Sequence, residues 1–144
     1  MIQITQTKKI QLAWPQGRVN NATVTCTSAD RSGYDYAVVR VTLGANDAGF
    51  STFKMQEADD NATFNDVPGT DFSIAPLVLP TTANGNTLWE FQLDLRGRKR
   101  YLKPLLIAGN GTLGVFVAVS AELFRAEQTP ITAAQQGLAG VVTV

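Results

Sequence analysis

The chain has 144 residues, 44% of them apolar, with twelve acidic and twelve basic side chains and a formal net charge of zero. That length suits one domain that buries about two-thirds of its unfolded surface, without disulfides or metal to hold it together. There is no histidine and only one cysteine, Cys26, which excludes a Ser-His-Asp or Cys-His nucleophile, a Cys/His zinc site and an internal disulfide.

The dominant period along the chain is two, the mark of half-buried strands. Met1–Thr7 is polar and β-branched and reads as an N-terminal arm. Ile10, Leu12 and Trp14 form a short strand. Ala22, Val24 and Cys26 alternate with threonines in a second, where Cys26 is expected to be a small buried apolar residue. Ala37, Val39, Val41 and Leu43 mark a third, and Phe53 and Met55, between Lys54 and Gln56, a fourth. Phe72, Ile74 and Leu77 to Leu79 suggest a fifth; Pro76 lacks an amide donor and would make it an edge or a bulge. Trp89, Phe91, Leu93 and Leu95 alternate with Glu90, Gln92, Asp94 and Arg96, with Trp89 on the core side. Tyr101 to Ile107 is a seventh, with the same reservation at Pro104. Val115, Val117, Val119, Ala121 and Leu123 line an eighth.

Turn residues such as Pro15-Gln16-Gly17, Arg31-Ser32-Gly33, Pro68-Gly69 and Asn84-Gly85-Asn86 separate these segments, and no window shows a helical period. Eight short strands predict an all-β, eight-stranded jelly-roll-like β-sandwich over residues 1–125. The absent Cys–Trp–Cys framework ranks it above an immunoglobulin-like sandwich. Residues 126–144 carry no charge after Glu127. They read as a C-terminal arm able to add as a strand to a neighbouring subunit, against the alternative of a frayed end.

Charge is segregated. Eight of the twelve acids lie between Asp30 and Asp71, and five of the twelve bases between Arg96 and Lys103. Arg96, Arg98, Lys99 and Arg100, with Lys103, are expected to cluster at a hairpin turn. They form a candidate protein-docking patch; a nucleic-acid patch of this size, with only Tyr101 interleaved, is disfavoured. Trp14, Tyr34 and Tyr36 are candidate exposed aromatics, suited to a protein interface or to stacking on a sugar. The acidic turn Glu57 to Asn61, with Asp59-Asp60 at its centre, does not have calcium-loop spacing and reads as a solvated turn. Glu90 and Asp94 share a face but stand roughly 13 Å apart, too far for a glycosidase pair. Asn21, Asn61 and Asn110 match the glycosylation pattern, by chance in a chain with no secretory signal. No apolar run approaches the roughly 20 residues of a membrane span. A soluble, cytoplasmically made protein with no catalytic group, no metal and no cofactor is expected, one that is not an enzyme.

Two stretches carry a resemblance. The run from Phe50 to Gly69 has a strand ending in Gln56-Glu57, an acidic turn, the aromatic Phe64, then Asp66-Val67-Pro68-Gly69. It resembles a hairpin of small virion proteins of tailed phages. The run from Gly97 to Gly109 is similar to the Arg-Tyr-x-Arg-Pro strand that follows in them, with Lys103 where arginine is common. The resemblance implies a capsid cement (head decoration) protein of jelly-roll type. Such a protein is a homotrimer on the capsid exterior whose partner is the major capsid protein. The competing expectation is a carbohydrate-binding jelly-roll module or phage adhesin domain.

Overall fold

The computed structural model describes residues 7–15 and 17–126, with Ala134 and Ala139 beyond them. Most of the expected N-terminal arm, and the C-terminal arm past Ala126 apart from those two alanines, lie outside the described residues. Eight strands follow in order: β1 (Lys8–Ala13), β2 (Ala29–Asp30), β3 (Tyr34–Asn46), β4 (Phe50–Ala58), β5 (Asn65–Asp66), β6 (Leu88–Asp94), β7 (Tyr101–Ala108) and β8 (Val115–Ala126). They build two four-stranded antiparallel sheets, β1-β8-β3-β6 and β2-β7-β4-β5. The protein is a β-sandwich, and no α-helix occurs among the described residues.

The pairing follows one rule. First pairs with last, second with seventh, third with sixth and fourth with fifth. The chain is thus one long antiparallel ribbon doubled back on itself. It wraps so that β3 also pairs with β8 and β4 with β7.

Alternation sends one face of each strand inward. Val39, Val41 and Leu43 of β3 and Val115, Val117, Val119, Ala121 and Leu123 of β8 meet Phe53, Met55, Leu102 and Leu106 of the other sheet. Phe53 is the centre of the core. Its ring lies 5.1 to 5.8 Å from those of Phe50, Phe72, Trp89 and Phe91, three of the four edge-on, the arrangement aromatic quadrupoles favour. Trp89 is half-buried, as its place on the apolar face implies, and its Nε1 donates to Thr87 Oγ1 at 2.9 Å.

Two of the expected strands are not where periodicity put them. The stretch from Phe72 to Leu79 contains no strand. Phe72 N–H donates to Phe53 C=O beside β4, and then the chain turns away. Asp71 Oδ1 accepts from both Ser73 N–H and Ser73 Oγ, Ile74 N–H returns to Asp71 C=O, and Leu77 N–H returns to Ile74 C=O. These local turns satisfy the backbone in place of a ladder. The strand beside β4 is instead the short β5. Beyond it, Val67 N–H donates to Met55 C=O, and Met55 N–H donates to the buried Thr70 Oγ1.

The expected strand at Ala22 to Cys26 reduces to a single bridge, Thr23 to Ile107. Pro104 is the reason. Met55, opposite Pro104, donates its N–H to Thr70 and accepts at its C=O from Val67, away from β7. Pro104 therefore aims its missing donor at the other side. The Thr23–Ile107 register would bring Cys26 opposite Pro104, where no N–H is available. The chain leaves β7 there; Thr27 N–H bonds to Leu12 C=O of β1 instead, and pairing resumes as β2 at Ala29–Leu102. β7 is an interior strand of its sheet, but on its donor-less side Pro104 has no partner strand, and the register changes between the Thr23–Ile107 bridge and Ala29–Leu102, a local break of the kind a proline requires.

Candidate functional site

The basic segment is not a hairpin turn. β6 and β7 belong to different sheets, so residues 95–100 form a corner that crosses the sandwich. The corner lands on the acidic segment. Arg98 Nη1 reaches Glu57 Oε1 at 3.3 Å, and Glu57 Oε2 accepts from Lys99 N–H at 3.1 Å. Arg100 grips Asp30 through Nε and Nη2 at 3.1 and 2.9 Å. Arg96 Nη2 lies 2.6 Å from Asp94 Oδ2, and Lys99 Nζ lies 3.9 Å from Asp59. Arg31 adds a clamp from below, donating to the carbonyls of Arg98 and Lys99. The acids and bases separated in sequence are neighbours in space.

The consequences for protonation are local. The Arg96 guanidinium pulls the Asp94 carboxyl down to about 2, and the Arg100 guanidinium lowers that of Asp30. In the acidic turn, Asp60 Oδ1 accepts from the N–H groups of Thr63 and Ala62 at 2.8 and 2.9 Å. Those bonds hold its carboxyl at about 2. Asp60 thus caps its own turn and Asp59 faces Lys99. No group of three metal-ligating side chains occurs among the described residues.

The aromatic candidates part company. Tyr34 is a core residue, 8% exposed, although strict alternation would put it in phase with Tyr36 rather than with the inward Ala37, Val39 and Val41; burial raises its hydroxyl pKa. It is not an exposed platform. Tyr36 lies on the outer face of the same sheet, its ring between the guanidinium groups of Arg96 and Arg125 at 5.5 and 5.4 Å. Lys103 stands 4.3 Å from the Phe64 ring, and Arg100 5.1 Å from that of Tyr101. The corner's cations therefore stack on aromatics as well as pair with acids.

Trp14 is 67% exposed. A β-bulge between Gln11 and Ala13 buries Leu12 and Ala13 in succession and so turns the next side chain outward. It borders a cleft of about 270 Å³ between the end of β1 and the segment 17–27, lined also by Arg18, Thr23, Thr25 and Val117. Arg18 also stacks on Phe116 at 5.0 Å. Sequence reading missed Arg18 and Phe116, since neither breaks the local pattern. It missed the cleft too, which only the sheet-to-sheet path of residues 17–27 creates.

Cys26 is half-buried, and burial pushes its thiol up to about 11. Glu90 and Asp94 do not act as a pair: Glu90 bonds Arg40 at 3.1 Å, and Arg40 also holds Glu122. No protein-family model matches this chain, and no curated protein matches it in sequence.

Proposed function

We propose that this chain is a virion structural protein, a capsid cement (decoration) protein of jelly-roll type that binds the outer surface of a phage head and bridges its capsomers. One observation carries the reading. The two stretches that resemble phage decoration proteins, Phe50 to Gly69 and Gly97 to Gly109, meet as one unit. β4 pairs with β7 over eight residue pairs; Glu57 receives Arg98 and Lys99; Lys103 covers Phe64. The motif is thus the signature of one packed corner. Strand orders β1-β8-β3-β6 and β2-β7-β4-β5, from a doubled ribbon of eight strands, support the jelly-roll reading. A rigid sandwich suits a part that is loaded mechanically. Several modest contacts on one lattice sum to strong avidity.

In this reading the protein acts outside any catalytic cycle, its partner is the major capsid protein, and three copies assemble about a closed axis. Residues at both chain ends serve as arms. The corner cations Arg96 and Arg100, paired but more than half exposed, remain docking candidates together with Trp14. The test is co-sedimentation of the purified protein with expanded capsids that lack it. Saturable binding and a raised capsid disruption temperature are expected; capsids that pellet without it overturn the proposal. Light scattering gives the copy number.

The Trp14 cleft favours one second reading, a carbohydrate-binding module. An exposed indole beside threonine hydroxyls and a guanidinium offers a stacking face and hydrogen bonds to a sugar ring. Glycan-array binding lost in Trp14→Ala, with no capsid binding, would select it.

A further inference from the structure

Among the described residues the outer edge of β6 is open and regular. Leu43 N–H donates to Thr87 C=O at 2.9 Å, and Leu95 N–H to Asp35 C=O at 2.8 Å. These bonds set the phase of the β3·β6 ladder. Trp89, Phe91 and Leu93, opposite Val41, Val39 and Ala37, exchange hydrogen bonds with β3. Leu88, Glu90, Gln92 and Asp94 therefore point their N–H and C=O groups away from it. Among the described residues none of those groups has a backbone partner.

Such an edge templates another strand unless something blunts it. β6 carries Glu90 and Asp94 on its outer face, but it has no proline, no lysine, no register shift against β3 and no charge on its inward face. The opposite edge of the same sheet is guarded. β1 carries Lys8, Lys9 and a bulge, and its Leu12 C=O is taken by Thr27.

We propose that β6 is an interface with a second copy of this chain, the two β6 strands pairing antiparallel about a two-fold axis at Phe91. Side-chain chemistry selects that register. Centred on Phe91, it sets Glu90 against Gln92 and Leu88 against Asp94 on the outer face, and Trp89 against Leu93 on the inner. Moving the axis one residue toward Glu90 sets Glu90 against itself. Moving it one residue toward Gln92 sets Glu90 against Asp94. Each places carboxylates face to face, which is destabilising. An odd slip would pair outward-bonding with inward-bonding residues and exchange the faces. The joined edges make one continuous sheet across two copies and cover the half-exposed Trp89 and Leu93. The contact goes beyond the capsid reading and does not depend on it, and it leaves every other surface free for three-fold contacts.

Two full-length single-cysteine variants test it, E90C and Q92C, each with Cys26→Ser. Facing residues of a hydrogen-bonded pair lie about 5.5 Å apart at Cα, within disulfide reach. Mixing the two under mild oxidation is expected to give a mixed disulfide well in excess of either variant's own. Self-disulfides of E90C alone mark a shifted register and overturn the one proposed; no cross-link, or equal cross-linking in all samples, overturns the interface. Gln92→Pro removes an N–H that the described fold does not use. It is expected to keep the thermal midpoint while weakening self-association about ten-fold, read as loss of the doubled species in light scattering. Association equal to wild type overturns the proposal, as does doubling that emerges only after residues 127–144 are removed, which would assign the edge to the chain's own end.

Discussion

Glu57 shows how one side chain organises the corner. Its side chain is 12% exposed, and its two oxygens accept from Arg98 and from the Lys99 backbone. Arg98 is therefore a structural partner. Arg98→Glu would place two carboxylates together in a half-buried site and is expected to lower stability by about 1–3 kcal/mol, read from urea unfolding. An unchanged midpoint would show the pair to be incidental. Asp60 behaves differently because its partners are backbone N–H groups of its own turn. Its folded pKa of about 2 lies below the ordinary 3.8. The stability it contributes is thus present above pH 3.8 and lost as pH falls toward 2. Asp60→Asn keeps an acceptor but not the charge, and should remove that part of the acid dependence from a series of thermal midpoints. A carboxyl resonance titrating near 3.8 would contradict the assignment.

At the scale of elements, the aromatic cluster joins the sheets. Phe53 of β4 touches Phe91 and Trp89 of β6 and Phe72 of the crossing segment. Phe53→Ala is expected to cost about 3–5 kcal/mol, because neighbours on four sides cannot collapse into the space; a loss under 1 kcal/mol would mean that the core repacks there. The long strands were legible in the sequence. β3 between Ala37 and Leu43, β6 and β8 show regular alternation, and the structure buries the faces expected of them, except that Trp89 and Leu93 are half-covered at the edge. The short ones were not. β5 is Asn65–Asp66, two polar residues with no periodicity to read. β2 starts late because of a proline more than seventy residues away in sequence.

For the whole molecule, surface and core separate cleanly at Trp14. Being exposed, it contributes little to folding: Trp14→Ala should leave stability within about 0.5 kcal/mol of wild type. On the two proposed readings it should weaken binding to the capsid or to the glycan. Co-sedimentation and thermal melts on the same preparations check both halves, and full binding by a stably folded Trp14→Ala would remove the cleft from the interface. The basic segment teaches the converse. In sequence it stands apart as a patch of five cations. In the fold, Arg96, Arg98, Lys99 and Arg100 each face an acid of the same chain.

What the sequence determined by itself is what short-range chemistry controls. Period-two burial follows from strand geometry, the turns from glycine, proline and Asx chemistry, and the exclusion of histidine- and disulfide-based sites from composition. The tertiary structure alone decided which strand lies beside which, since pairing first with last is a contact between distant segments that no local window records. It also decided that Arg98, Lys99 and Arg100 meet Glu57, Asp59 and Asp30 of the acidic stretch, that Tyr34 is core while Tyr36 stacks between arginines, and that β6 ends its sheet among the described residues. Each depends on what a second, remote segment brings to the same place.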